Sequence, residues 1–476
     1  MNPCDPVVLI KKDNKSNNNN NMTVSLTWPC IVEILDFIYY DKCTPFRAKL
    51  ELGLVSWRVF NYMSDRIDGY TLSDDHPDTL LQHLNSRYCI LKNIRFLKIL
   101  TNKAFDVEKH RQLAERLAHS VVRLTVVCHY QMALGAMQLP PDAINHLNGL
   151  TGMLTKVKQI RFWLSHNTQA FNEIFNGYAT DNIESFKLFN LEEKDPLALV
   201  NYDNYLFASN PTQLQEYRGL LLPVFLSNIE PFQANLTKLA LMIEQPLIGE
   251  TFIDKTLPSM TSLKSLRFTV RVRLSKIDQH LATYLNNNNN NNDNNRLEHL
   301  HLSGYLLNND QLLEAIVNNN RLKTLSIPGA FFNRTITLNL SKLTIYKPQV
   351  INSHFLDEAS SMIKRIVLKD SEPVTPPILI SYFKNNRYLQ QIKGLVYSSA
   401  LMNALKDRPE TDCLRAIELK VTDPNLAVRF ITSNIASCQS IHNAKIAFSR
   451  RIDIQADYDP FKCFTKTNPY NFLKIS

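Results

Sequence analysis

Glycine is scarce in this chain, at 11 of 476 residues, and no two glycines stand closer than Gly149 and Gly152. Dinucleotide and P-loop sites need glycines where backbone must approach phosphate, so both chemistries are excluded. The eight cysteines, at 4, 30, 43, 89, 128, 413, 438 and 463, form no C-x-x-C and have no His pair at zinc-ligand spacing. There is no basic-then-apolar leader, and the longest apolar stretch, residues 219–226, is far too short to span a bilayer. No HExxH motif and no locally supported Ser-His-Asp arrangement occurs. No cluster of Lys and Arg marks a nucleic-acid arm, although the chain holds 53 bases against 44 acids, a net charge of +9. These absences predict an intracellular, soluble, reduced protein, cytoplasmic or nuclear. It would have no cofactor, no metal, no membrane contact and no catalytic activity.

What is present is a period. A unit of the form apolar-x-x-apolar-x-apolar recurs about every 26 residues, most clearly as LTKLAL from Leu236, LKSLRF from Leu263, LEHLHL from Leu297 and LKTLSI from Leu322. Further copies start at Ile67, Ile94, Val121, Val157, Ile183, Leu214, Leu340, Ile363, Leu389, Leu414 and Ile441. Two weaker copies, LQEYRGL from Leu214 and LQQIKGL from Leu389, differ at only three of seven places. Between copies the pattern turns helical. Asn309 or Asp310 can cap a helix whose Leu312, Leu313, Ile316 and Val317 share a face, and NLAVRFITSNIA after Pro424 has the same character.

This pattern resembles a leucine-rich-repeat array. The resemblance implies an α/β solenoid, a curved parallel sheet with helices on its convex side, spanning residues 66–476. Residues 1–25 are polar, include the run Asn17–Asn21, and read as a disordered tail. A second tract, residues 286–295, lies between two repeat copies and reads as a loop insertion. Such arrays usually hold another macromolecule.

Residues 26–65 depart from the period. Their sequence, LTWPCIVEILDFIYYDKCTPFRAKLELGLVSWRVFNYMSD with the repeat following, resembles an F-box, the helical module that docks on the Skp1 subunit of cullin-RING ubiquitin ligases. Leu26, with Pro29 near, takes the place of the opening Leu-Pro pair. Ile34 with Leu35, and then Ile38, take the next apolar places, and Leu50, Leu52, Leu54, Val55, Ser56 and Phe60 fit the second half after a connection through Thr44-Pro45. Ile31, Ile34, Leu35 and Ile38 form an apolar helical stripe in any case. The resemblance implies a Skp1-like adaptor and a cullin ligase core as partners, contacted through Leu26, Pro29, Ile31, Ile34, Leu35, Ile38, Leu54, Val55 and Phe60. The chain would then be the substrate-recognition adaptor of a Skp1–cullin–F-box ligase. The same stripe would also serve a helical cap on an interaction scaffold with no ligase role.

In each repeat copy the third and fifth positions should point out of the sheet. Over the clearest copies these hold Lys98, Arg123, Arg161, Lys187, Lys238, Arg267, Lys342 and Arg365 against the single acid Glu418, with His299 and His301 beside them. A concave face so biased would steer an acidic or phosphorylated target protein. Aromatic residues that could stack bases are not interleaved, which argues against nucleic acid. His299 and His301 have chelating spacing but no third ligand in view.

Overall fold

The computed structural model describes residues 7–8, 25–40, 48, 51–73, 77–86, 89, 91, 93–101, 112–113, 115–128, 154–164, 182–190, 213–221, 226, 229–231, 233–272, 276–289, 296–304, 310–351, 354–357, 362–370, 375–408, 413–421, 434–435, 437–438, 441, 443–448 and 472–475. The chain divides into two compact units. The first holds residues 1–165 with 176–178, and the second holds 166–175 with 179–476.

In the first unit, two-residue strands β1 (Val7–Val8) and β2 (Ser25–Leu26) pair antiparallel. Helices α1 (Trp28–Tyr40) and α2 (Trp57–Arg66) follow. Four strands then pair in parallel and in chain order: β3 (Gly69–Ser73), β4 (Phe96–Thr101), β5 (Arg123–Cys128) and β6 (Gln159–Leu164), with α3 (Pro77–Asn85) after the first. Leu97, Leu124 and Ile160 lie in register and are buried, as are Ile99 and Val126.

The second unit continues the plan with twelve described strands: β7 (Ser185–Asn190), β8 (Glu216–Leu220), β9 (Lys238–Ile243), β10 (Ser265–Val270), β11 (His299–Gly304), β12 (Thr324–Pro328), β13 (Lys342–Tyr346), β14 (Arg365–Lys369), β15 (Gln391–Val396), β16 (Ala416–Val421), β17 (Asn443–Phe448) and β18 (Phe472–Ile475). Each pairs in parallel with the next. Returns include α4 (Pro246–Thr251), α5 (Ile277–Asn289), α6 (Asp310–Val317), α7 (Pro377–Asn385) and α8 (Ser399–Lys406). Parallel neighbours require such a crossover between strands.

Each of the fifteen strands β3–β17 begins two residues after a repeat copy begins. The offset has a cause. The carbonyl of the copy's second residue accepts two amides from the next copy: Glu298 and His299 both donate to Lys264, and Lys323 and Thr324 both donate to Glu298. The ladder becomes regular only beyond this ledge. Inward, Leu239, Leu266, Leu300, Leu325, Leu343, Ile366, Ile392 and Ile417 form one in-register buried row, each worth about 1.5–3 kcal/mol of burial. Phe268 of β10 meets Phe252 of the return edge-on at 6.2 Å. The inward row is thus covered by its own returns, as a leucine-rich-repeat solenoid requires.

Two local solutions recur. Asn319 and Asn386 each precede a copy by three residues, and their Oδ1 atoms accept amides from Arg321 and Leu322, and from Tyr388. Gly394 sits at φ 75° where β15 and β16 slip register, and a Cβ there would collide with the carbonyl of Leu368.

The asparagine tract differs from the expected loop. Asn286–Asn289 form the last turn of α5, because the helix begun by Ile277, Leu281 and Leu285 buries its apolar stripe and carries the polar residues on. Residues 290–295, the Asn17–Asn21 run, Thr44-Pro45, Leu50 and most of the segment after Pro424 lie outside the described residues. Among the described residues no helix is long and apolar enough to cross a membrane.

Candidate functional site

The helical module carries one candidate surface. On α1, Ile31 and Leu35 are buried, Leu35 to 4% exposure, and Ile38 is half-buried. On α2, the Ser56 hydroxyl accepts from the Val59 amide at 3.1 Å, and Val59, Phe60 and Met63 are buried. The two helices are tied by polar contacts: Tyr62 Oη donates to Asp36 Oδ1 at 2.7 Å, Arg66 pairs with Asp36 Oδ2 at 3.4 Å, and Tyr39 Oη donates to the Arg66 carbonyl at 2.7 Å. Trp28 meets Tyr62 edge-on at 6.0 Å, and the Arg58 guanidinium lies 4.1 Å from the Trp28 ring centroid.

The expected docking residues therefore separate into two groups. Ile31, Leu35 and Phe60 are buried, Leu26 and Ile38 are half-buried, and Pro29, Ile34, Leu54 and Val55 are exposed. Two residues not singled out from sequence join the exposed set. Phe37 is 77% exposed and lies three residues from Ile34 on the same helix face, and Trp57 is exposed while stacked on Phe60 at 4.9 Å. Leu54, at 82%, is more exposed still. Of nine exposed large hydrophobic side chains among the described residues, five lie between Ile34 and Trp57. Scattered single exposures are ordinary, so this concentration within one short stretch of chain is the module's candidate surface.

The second candidate is the outward face of the strands. Burial alternates along β9, β10, β11 and β12 as the repeat register predicts, with half-exposed or exposed residues at every outward place. In the first unit Lys98 is exposed and aligned with Thr125 and Arg161. Arg123 is engaged locally, donating to Gln159 at 2.7 Å over the Phe96 ring.

In the second unit, register places Lys238, Ser265, His299, Thr324, Lys342 and Arg365 in one row. A parallel row runs Lys187, Arg218, Ala240, Arg267, His301 and Ser326. Arg218 and Lys393, which sit in the two weaker copies, were missed from sequence, although the fifth position of those copies names them. Lys369, one outward step further along β14, also belongs to this face: its Nζ lies 3.4 Å from the Tyr346 hydroxyl, and the Tyr346 ring meets His301 edge-on at 5.3 Å.

The face is electrostatically crowded. Burial and then Arg267 hold the Arg218 guanidinium below its ordinary value. Burial, then Arg267, Lys369 and Arg218, push His301 down to about 3. Burial, then Arg365, Lys369 and Lys393, lower Lys342. Burial lowers His299 as well, opposed by Glu298, with Lys323, Lys238 and Lys342 adding smaller contributions in the same direction as burial. Both histidines are thus neutral at pH 7, but the cations that keep them so would also repel a metal ion. At one end, Glu216 bonds Lys187 at 2.7 Å and Ser185 at 2.9 Å. Burial favours its protonation, yet these partners hold its carboxyl below the ordinary value. From β9 to β14 the outward places hold Lys238, Arg267, Lys342, Arg365 and Lys369 and no acid.

No family model matches this chain, and no curated protein matches it. Among solved structures, the crystal structure of the Rad7 and Elc1 complex in yeast is similar at 14% identity and a TM-score of 0.30, over 94% of this chain and 92% of that one. The class, an α/β leucine-rich-repeat solenoid preceded by a helical pair, is defined by the strand ladder itself.

Proposed function

We propose that this chain is the substrate-recognition adaptor of a Skp1–cullin–F-box ubiquitin ligase and catalyses nothing itself. The helical module docks the Skp1-like subunit, and the outward sheet face holds an acidic target protein. The adaptor acts by raising the effective concentration of target lysines near the ubiquitin-charged enzyme. The observation that carries the reading is the concentration of exposed apolar side chains between Ile34 and Trp57. Covering one such side chain is worth about 1.5–3 kcal/mol, so several together suffice to anchor a partner.

A helix serving only as a cap would have its apolar residues covered by the fold. Ile31 and Leu35 are covered in this way, whereas Ile34 and Phe37 are not. That contrast supports docking over capping. The test is a pull-down with purified Skp1 and cullin, comparing the native chain with one carrying Ile34→Ser, Phe37→Ser and Leu54→Ser. Capture by the native chain and its loss in a folded variant supports the adaptor. No capture by the native chain at low salt sinks it.

A further inference from the structure

Where the strands of the second unit begin, the sheet edge is notched by a groove of about 720 Å³. It is lined by Lys264, Arg296, Arg321, Lys323 and Lys364, with Glu298 the one carboxylate and Met362 an exposed apolar side chain. It lies on the rim of the sheet, and none of its lining residues belongs to the outward rows described above.

The geometry of this rim is fixed by backbone. Lys264, Glu298, Lys323, Ser341 and Lys364 are the second residues of five successive repeat copies. Their carbonyls form the ledge on which the next strands hang: Lys264 accepts at 2.9 and 3.0 Å, Glu298 at 2.8 and 3.1 Å, Lys323 at 2.9 and 3.2 Å, and Lys364 at 2.8 and 3.1 Å. Adjacent strands lie about 4.8 Å apart, so the three lysines, on alternate strands, recur every ~9.6 Å along the rim. Polyproline II chain advances about 3.1 Å per residue with three residues per turn, placing every third side chain on one side at ~9.3 Å intervals. The two repeats match.

We infer that this rim groove is a docking site for an extended polypeptide segment with an acidic residue at every third position. The segment crosses the strands from β10 to β14. This goes beyond the proposed outward-face contact, since it names a second place, on the rim, where an acidic segment of the target is held, and it rests on the adaptor reading. Three acids on such a segment span about 19 Å, the distance from the Lys264 strand to the Lys364 strand. Arg296 and Arg321 add charge along the same path, and Met362 offers an apolar contact between acids. The lining holds no aromatic residue for a base to stack on, which favours a polypeptide over single-stranded nucleic acid.

Glu298 is the counterweight. It bonds Lys323 at 2.8 Å, and that bond, then burial acting against it, then Lys323, His299 and Lys264, leave its carboxyl below the ordinary value. An arriving acid must share Lys323 with it, so Glu298 weakens capture and sets a threshold for how acidic a segment must be.

The probe is a fluorescent peptide of three Glu-Pro-Pro repeats, titrated against the full chain and followed by anisotropy. Saturable binding that weakens with salt is expected. It should fall about tenfold or more with Lys264→Glu plus Lys364→Glu, and rise about threefold with Glu298→Gln. It should stay within about twofold with Lys238→Glu plus Arg267→Glu, which alter the outward face instead. The gain with Glu298→Gln cannot come from misfolding, so the inference stays exposed even if the lysine variant fails to fold. Equal affinity for a peptide of the same composition with its glutamates contiguous would overturn it. So would capture of single-stranded RNA in preference to the peptide, loss only with the outward-face variant, or no saturable binding. Failure here alongside intact capture of Skp1 removes the groove and leaves the adaptor standing.

Discussion

The helical module and the repeat sheet present opposite chemistries. Between Ile34 and Trp57 five large apolar side chains are exposed, with Glu51 beside them, while Asp36, Tyr62 and Arg66 tie the two helices together. From β9 to β14 the large buried apolar residues point inward, and the outward places carry cations, Lys238, Arg267, Lys342, Arg365 and Lys369, whose mutual repulsion adds to burial in lowering Lys342. One surface binds by removing apolar area from water and should be indifferent to salt. The other binds by charge and should fade as salt is added. A constant partner on the first and a variable one on the second is the division of labour an adaptor needs.

The largest test of this contrast lies within α1. Leu35→Ser should cost about 3 kcal/mol or more of stability, because it empties a buried apolar position of α1 and puts a hydroxyl there. Ile34→Ser, one residue away, should change stability by no more than about 0.5 kcal/mol. Denaturant unfolding followed by circular dichroism reads both. Similar costs at the two positions would erase the distinction between the covered and uncovered faces of α1.

Next comes function on the uncovered face. Ile34→Ser, Phe37→Ser and Leu54→Ser together should weaken Skp1 capture by about a hundredfold, and the loss should be the same at low and high salt. A loss that appears only at low salt and fades as salt is added would move the module into the same class as the sheet.

The sheet should behave the other way. Lys238→Glu with Arg267→Glu should weaken capture of an acidic protein broad enough to cover the outward face about tenfold near 0.1 M salt, while sparing the short rim-groove peptide, and the difference should shrink as screening grows. Both side chains lie on outward places, so the thermal midpoint should hold. A salt-independent loss would mean that the face works through shape.

The sequence makes the two regions unequally legible. Register is transparent in the sheet because a period of two fixes inward and outward, and every repeat copy from Ile67 to Ile441 locates its strand two residues on. The last described strand of the second unit, β18, falls in YNFLKI from Tyr470, which has the same apolar-x-x-apolar-x-apolar form but lies beyond the copy at Ile441. In α1 the stripe Ile31, Ile34, Leu35 and Ile38 is wide enough to cover both a buried and an exposed edge, and periodicity alone cannot divide them. The division depends on tertiary packing: Leu35 is buried, Ile34 is not, and Phe37 extends the uncovered edge. The rim lysines were hidden for another reason. The second position of the copy is neither inward nor outward on the strand, and its side chain belongs to the edge where the ladder begins.

The smallest effect concerns His301, which faces Arg267, Arg218, Lys369 and the Tyr346 ring. Its folded value, about 3, lies below the ordinary imidazole value of about 6.5. The unfolded chain therefore binds the extra proton first, and stability should decline as pH falls from 6.5 toward 3. An acidic partner on the face supplies the opposite charge, raises the bound-state value and makes binding take up a proton. Affinity for an acidic target should therefore increase about twofold from pH 7 to pH 5.5, while the target's carboxylates remain ionised. His301→Gln should flatten that increase without altering Skp1 capture. Titrating both chains with the same acidic peptide across these pH values separates a face that senses its partner's charge from one that merely displays its own.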